Sequence, residues 1–417
     1  MKIDYSKLPR HRCLCQDAKS FYASVECALR GLDPLETYLA VAGDLSRKGS
    51  VILASTPKLK AEYGIKTGSR LYEIPKDPRI LLVDAQMYEY LAVSMAIVRL
   101  LNRYMPLEAI RPYSIDENIC LLDGTRWSDS WEAARYIQAM IKLECGVPIA
   151  VGLGNNFLQS KLILDIRGKK DGIAECCYED FEQKLWPQPV EDIWGIGPRI
   201  KLKLNRLGIL TLGQLAQTPL DVLRRTFGPA IGEQLYFHSF GVDLTDPIQP
   251  WERLRKGFSH GQTLFFDRTL EDVKFLIREL WDDVTSRMRA AGLAGRTISV
   301  AVGYNADSGI RPIQKSRTLA SPTLQESKLS TATYELLEDA PSWPIRIVHV
   351  GISNLVTPDL IQLDLFDDPE ANEREVHLFE TVDKLKKKYG NGVIFRANSY
   401  LNGTAVSRSR QIGGHQR

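Results

Sequence analysis

Arg12-Cys13-Leu14-Cys15-Gln16-Asp17 runs directly into Ala18-Lys19-Ser20-Phe21-Tyr22-Ala23-Ser24-Val25-Glu26, and far downstream stands Tyr113-Ser114-Ile115-Asp116-Glu117. The first run is short and mostly apolar, and from Ser20 onward the apolar residues shift to helical spacing, so the pair reads as a strand into a helix. Asp17 stands where that strand ends, and Asp116 with Glu117 stands in a polar turn between two predicted strands. A sheet that sets the strand end beside the turn collects three carboxylates at one edge. Crowded carboxylates repel one another, and a hard divalent cation such as Mg²⁺ relieves the repulsion at neutral pH. Two such ions ~3.5 to 4 Å apart activate an attacking hydroxyl and stabilise a leaving pyrophosphate. The residues alone also fit a plainer reading, with Asp17 capping the helix that begins near Lys19 and Asp116 and Glu117 as ordinary turn residues.

Working outward, Leu39 to Ala42 and Val51 to Ala54 read as strands flanking the polar turn Asp44 to Ser50. Pro57 is placed to start a helix through Tyr63 that Gly64 ends. Ile80 to Val83 reads as a strand, Met87 to Arg103 as an amphipathic helix, Ile119 to Leu122 as a strand, Trp131 to Leu143 as a helix and Val147 to Gly152 as a strand. This mixed order, with a hairpin around Asp116, predicts an α+β sheet of βαββαβ order covered by helices on one face. After about Pro187 the pattern changes to short helices broken by Gly195, Gly197, Gly208 and Gly213. From about Trp251 a second α+β unit follows, with strands at Thr263 to Phe266, Thr297 to Val302 and Ile345 to Val350 and helices at Leu270 to Ala291 and Leu324 to Leu337. Beyond Thr357 come an acidic stretch, Asp364 to Glu375, a basic helix around Lys384 to Lys388 and a polar end, expected to be poorly ordered on its own.

Composition bounds the same picture. At roughly 150 residues per domain, 417 residues suggest about three domains. Hydrophobic residues at 44% and charged residues at 25% exclude a disordered or fibrous chain. Apolar runs such as Ile80 to Val83 fall far short of the ~20 residues of a membrane span. Met1 to Arg12 lacks an apolar signal core, so a soluble cytoplasmic protein is expected. The 7 cysteines form neither a CxxC pair nor a zinc spacing, which points to reduced thiols, and the 6 histidines are scattered. With 54 basic and 51 acidic residues the net charge of +3 does not by itself argue for a polyanionic partner. Local basic clusters at Arg47 and Lys48, at Lys58 and Lys60, at Arg167 to Lys170 and at Arg199 to Arg206 read equally well as solvated faces.

In their order and spacing the two acidic motifs resemble the signatures of the Y-family DNA polymerases. Within that family the similarity is to the UmuC-type branch, in particular the UvrX-like proteins of Gram-positive bacteria. It continues through Val151-Gly152-Leu153-Gly154, Trp194-Gly195-Ile196-Gly197 and the tail, and so covers nearly the whole chain. The resemblance implies an α+β multidomain right-hand polymerase. A ferredoxin-like βαββαβ palm would comprise residues 1–28 and 87–179, small fingers 29–86, a helical thumb with a helix-hairpin-helix 180–250 and an α+β little finger 251–356, leaving 357–417 for a clamp-binding motif and a largely flexible tail. It further implies a monomeric, template-directed, low-fidelity translesion polymerase of the DNA damage response. Two Mg²⁺ ions, primed DNA, dNTPs and the bacterial sliding clamp (its beta subunit) would be its cofactors and partners.

Carried over by position, the resemblance implies that Asp17, Asp116 and Glu117, with the backbone carbonyl of Ala18, hold the metals, and that Phe21 and Tyr22 face the nucleotide. Tyr22 matches the family's steric gate, an aromatic ring packed under the sugar where a 2′-hydroxyl would clash. Lys169, three residues before Gly172, matches the family's nucleotide-binding lysine, with Lys170 the alternative. The chain departs from the family at Lys19, where members often carry an acidic residue or Asn. It departs again at Lys58 and Ala61, where many present a Tyr and an Arg, so that Lys58 and Lys60 would supply charge without an Arg fork.

Gly195 and Gly197 fit a helix-hairpin-helix that brings backbone N–H groups and Arg199 to a DNA phosphate, although helices joined by a Gly turn are also common as plain structure. Lys256, with Arg253 and Arg255, would add DNA contacts. Gln362-Leu363-Asp364-Leu365-Phe366 matches the clamp-binding pattern QLxLF, and its alternation fits one more strand as well. Two other functions stand beside the polymerase. One is a nucleotidyl cyclase, which also uses a βαββαβ sheet with paired carboxylates. The other is a catalytically weak DNA-binding adaptor of the sliding clamp.

Overall fold

From the amino end the chain runs through β1 (Cys13–Ala18), α1 (Phe21–Leu29), β2 (Leu39–Ala42), β3 (Ile52–Ser55), α2 (Pro57–Tyr63), β4 (Leu81–Asp84) and α3 (Met87–Leu101). It continues through β5 (Ile110–Pro112), β6 (Glu117–Leu121), α4 (Ser130–Cys145), β7 (Ile149–Gly154), α5 (Phe157–Ile163), a π-helical turn Leu164–Gly168, α6 (Lys169–Asp171) and β8 (Ile173–Cys176). This computed structural model describes residues 3–243, 245, 255–357, 369–390, 392–394, 396, 411, 412, 415 and 416. It falls into two units, 1–251 with 415–417, and 252–414.

In the first unit β1 is the middle strand of a sheet ordered β5-β6-β1-β7-β8, antiparallel to both neighbours, while β8 runs parallel to β7. The elements β1, α1 with α3, β5, β6, α4 and β7 follow the βαββαβ order read from the sequence. Local chemistry sets the ends. The Asp129 side chain accepts the Trp131 and Glu132 N–H groups at the start of α4, and Gly146 ends the helix in the left-handed region. Pro57 opens α2 and Gly64, at φ 69°, closes it. The inserted segment forms its own sheet, β3-β2-β4, around Ala40, Ala42, Ile52, Leu59 and Ile65. Five helices follow: α7 (Phe181–Leu185), α8 (Pro198–Arg206), α9 (Leu212–Gln217), α10 (Leu220–Phe227) and α11 (Pro229–Ser239). Phe181, Leu204, Leu212, Leu223 and Leu235 close their core.

The second unit contains β9 (Gly257–Arg268), α12 (Leu270–Ala290), β10 (Ala294–Tyr304), β11 (Ile313–Thr323), α13 (Glu326–Leu336), β12 (Ile345–Val356) and α14 (Pro369–Tyr389). Its antiparallel sheet is ordered β11-β10-β12-β9, and α12 packs Trp281, Leu280 and Ile277 onto it.

Three elements were not legible in the pattern. Every residue of α5 is buried, so no amphipathic period marks it. The short β8 follows directly on that buried run. β11 is an edge strand whose residues are mostly half-exposed, and it shows no apolar alternation. In the tail the basic helix read around Lys384 to Lys388 is part of α14, which begins at Pro369 within the acidic stretch and lies against α12 and α13. Arg289 pairs with Asp383 at 2.7 Å, and Ser327 donates to Glu375. Arg396 bridges Asp282 and the buried Glu326 at 2.9 and 2.8 Å. All seven cysteines are free, and among the described residues no helix is long and apolar enough to cross a membrane.

Candidate active site

Strand register decides which carboxylates meet. Asp17 lies directly opposite Glu117 in the β1–β6 ladder, and the Ala18 N–H donates to the carbonyl of Asp116 at 2.9 Å. Residues opposed across two strands project to the same face, so the carboxylates of Asp17 and Glu117 share one side of the sheet. The plainer reading of Asp17 fails here, because Ser20 stands at the start of α1 and no side chain caps that helix. Ser20 itself adopts φ 50°, a left-handed conformation uncommon for a non-glycine residue, where the chain turns from β1 into α1. Asp116 accepts the hydroxyl of Ser114, as an ordinary turn residue would.

A cleft of about 690 Å³ opens over this end of β1. Asp17, Ala18, Phe21, Tyr22, Asp116, Lys60 and Lys169 line it, together with Lys19. The cleft therefore gathers most of the metal and nucleotide candidates read from sequence; Glu117 and Lys58 are the exceptions. Lys58 is not among its lining residues; it pairs with Glu36 at 3.0 Å and lies over the Tyr38 ring. Of the two candidate lysines it is Lys169 that reaches Asp17, at 3.0 Å.

Tyr22 is braced from below. Its ring stacks on Tyr90 with centroids 4.5 Å apart. The Tyr90 hydroxyl donates to the fully buried Glu26 at 2.6 Å, and Gln86 and Arg30 hold the same carboxylate. Burial, with the nearby Asp116, raises the Tyr22 hydroxyl above its ordinary pKa.

Two residues that sequence reasoning missed complete the site. Lys161 contacts Glu117 at 2.8 Å and Asp165 at 3.1 Å; Lys169 contacts Asp165 at 2.9 Å as well as Asp17. The result is one alternating ladder, Glu117–Lys161–Asp165–Lys169–Asp17. Its signal was present in the sequence, since Lys161, Asp165 and Lys169 recur every fourth residue on one helical face. Burial lifts the Asp17 carboxyl above the usual range; Lys169 opposes this, and Asp116 and Glu117 add to it. Burial works against the charge of Lys161 and of Lys169, yet the carboxylates prevail and hold both ammoniums above their ordinary value. Cys15 donates to Glu117, and burial followed by that carboxylate raises its thiol pKa.

The donor set suits a hard cation, because Asp17, Asp116 and the Ala18 carbonyl offer oxygen alone beside a polar cleft. Among the described residues no three acidic, thiol or imidazole groups are already arranged as a metal site; Glu117 is turned to Lys161.

The helical run can reach the carboxylates because β7 is stripped of side chains beneath it. A Cβ at Gly152 would lie 2.1 Å from the Ser160 carbonyl oxygen, and one at Gly154 2.7 Å from the Ser160 nitrogen. Among the remaining candidates, Gly195 adopts φ 91°, and Gly197 precedes α8 with Pro198 in its first turn. Arg199 and Lys256 are exposed. Trp194 donates to the Tyr113 hydroxyl at 3.3 Å. Gln362, Leu363, Leu365, Phe366 and Arg253 lie outside the described residues.

Comparison with known proteins places the chain in a family. The model of the impB/mucB/samB family matches residues 16–165, and that of the same family's C-terminal domain matches 255–365. A model described as the thumb domain of DNA polymerase-iota matches 191–243. The UvrX protein of Bacillus subtilis is 42% identical over 99% of this chain and 100% of its own length. The DNA polymerase IV 2 of Halalkalibacterium halodurans and the DNA polymerase IV of Pelotomaculum thermopropionicum are each 34% identical, over 96% of this chain and 98% of their own.

The packing at Gly152 generates a test. Gly152→Ala is expected to push α5 away from β7 and to destabilise the first unit by about 3 kcal/mol, read as a lowered urea midpoint at unchanged slope.

Proposed function

Because the chain belongs to the impB/mucB/samB family, the Y-family of translesion DNA polymerases, we propose that its DNA-directed DNA polymerase activity resides in the cleft lined by Asp17 and Asp116, with Glu117 opposite Asp17 on the neighbouring strand. The observation that carries this reading is the register of Asp17 opposite Glu117, with Asp116 beside them and Tyr22 and Lys169 lining the same cleft. Two magnesium ions held by Asp17, Asp116, Glu117 and the Ala18 carbonyl would supply Lewis-acid activation of the primer 3′-hydroxyl and charge neutralisation at the leaving pyrophosphate.

The chain's own groups do the rest. Lys169 and Lys60 offer ammoniums at the cleft wall for a triphosphate, and Lys169 can turn from Asp17 to a phosphate without losing Asp165. Tyr22, fixed by its stack on Tyr90, presents a rigid ring to the sugar, so its position does not yield when a 2′-hydroxyl arrives. Lys58, engaged with Glu36, contributes less to the triphosphate than Lys60. Residues 1–28 and 87–179 act as palm, 29–86 as fingers, 180–250 as thumb and 251–356 as little finger. Gly195, Gly197, Arg199 and Lys256 make sequence-independent phosphate contacts, and residues 362–366 dock on the sliding clamp. The cyclase and the inactive-adaptor readings are disfavoured by kinship with DNA polymerases along the whole chain.

Primer extension with purified protein, Mg²⁺ and dNTPs tests the assignment directly. The wild type is expected to extend a primed template, whereas Asp116→Ala with Glu117→Ala is expected to lose more than about a hundredfold in rate while still binding DNA. In the same assay Tyr22→Ala is expected to raise ribonucleotide incorporation relative to deoxyribonucleotide; an unchanged ratio rules out the gate. Leu365→Ala with Phe366→Ala is expected to leave basal synthesis intact and to abolish stimulation by added clamp, and retained stimulation removes the clamp assignment.

A further inference from the structure

The lysine–carboxylate ladder ends on the two acidic residues that face each other across β1 and β6, and its two ends differ. Lys169 is 45% exposed at the cleft, whereas Lys161 and Glu117 are only 8% and 7% exposed. Glu117 does not line the cleft that holds Asp17 and Asp116. It faces a second, largely apolar cavity of about 520 Å³ together with Lys161, Tyr113 and Phe157. A carboxylate this dry requires a counter-charge, and Lys161 supplies it, with the Cys15 thiol as a further donor. Asp165 holds both lysines, so it governs how strongly each ammonium leans on its outer carboxylate.

We propose that Lys161 is a positioning residue for Glu117. It retains the Glu117 carboxylate until a divalent cation competes for it, and Asp165 keeps the Lys161 ammonium paired when Glu117 turns away. This rests on the assignment of Asp17, Asp116 and Glu117 as the metal-holding set. The exchange is of ion-pair partners only; no bond is made or broken and no proton moves.

The two inner members of the ladder then act with opposite sign. Lys161→Met leaves Glu117 buried without its cation, so a divalent ion gains a stronger claim on it. Asp165→Asn leaves both ammoniums with only the outer carboxylates as partners, so the ion meets stronger competition. A merely structural role would lower the melting temperature in both variants without separating their metal affinities.

The test is titration of the full chain, without DNA, with Mn²⁺ alone, following free Mn²⁺ by electron paramagnetic resonance and recording the melting temperature of each variant. Lys161→Met is expected to tighten Mn²⁺ binding about fivefold, Asp165→Asn to weaken it about fivefold and Lys161→Arg to stay at the wild-type value. Unchanged or weaker binding in folded Lys161→Met overturns the proposal. If Lys161→Met does not fold, Asp165→Asn decides, and unchanged or tighter binding there overturns it. Primer extension by the wild type is measured alongside. No extension counts against the polymerase reading, whereas extension with Mn²⁺ affinities alike in all variants counts against the role of Lys161 alone.

Discussion

The close approach of the helical run 157–171 to β7 is the constraint on which the site depends. Backbone meets backbone at Gly152, at Gly154 and again at Gly168, whose Cβ would lie 2.7 Å from the Val151 carbonyl oxygen. Side chains at these positions would force the run off β7 by about an ångström, enough to disturb ion pairs whose length is about 3 Å. With glycine there, α5 and the π turn lie flat on the sheet and deliver Lys161, Asp165 and Lys169 to the strand ends that carry Asp17 and Glu117. The π turn at Leu164–Gly168 falls in this same run and carries Asp165, the one acid that contacts both lysines.

Carboxylates gathered at one end of a sheet repel one another, and here the protein carries its own cations to offset that repulsion. Three carboxylates and two ammoniums alternate along the ladder, so no acid in it is left without an opposite charge within about 3 Å. The arrangement costs desolvation at its buried end, where isolated charges would be severely destabilising, and the alternating partners offset that cost. The residual negative charge stays at Asp17 and Asp116, beside the open cleft, where a cation can enter.

Rigidity is distributed unevenly around that cleft. Under Tyr22 the packing is dense and polar groups are paired, since Tyr90, Glu26, Gln86 and Arg30 form a closed cluster. The lysines that face the cleft are more exposed and free to exchange partners with an incoming anion. One part of the cleft wall is thus fixed by buried hydrogen bonds, and the other is carried on long side chains. In the second unit Asp383 of α14 pairs with Arg289 of α12, and Arg396, beyond α14, satisfies the buried Glu326 at the start of α13.

Much of this was legible in the residues themselves. Pattern placed β1, α1, α2, α3, α4, β7, α12 and α13 within a few residues: α3, α4, α12 and α13 alternate a dry face with a wet one, Pro57 and Gly64 bound α2, and β1 and β7 are short apolar runs buried on both faces. The acidic motifs named Asp17, Asp116 and Glu117, and Gly195 announced a turn that requires positive φ. What escaped was α5, which has no wet face; β11, a polar edge strand; and the extent and packing of the tail helix, which runs back to Pro369 and pairs Asp383 with Arg289, 94 positions away. Local patterns record how a segment divides itself between solvent and core, and so most of the elements, the acidic motifs and the kinship could be read from the residues alone. Which lysine meets which carboxylate depends on strand register and on how near two backbones come, and those are properties of the assembled sheet that only the tertiary structure decided.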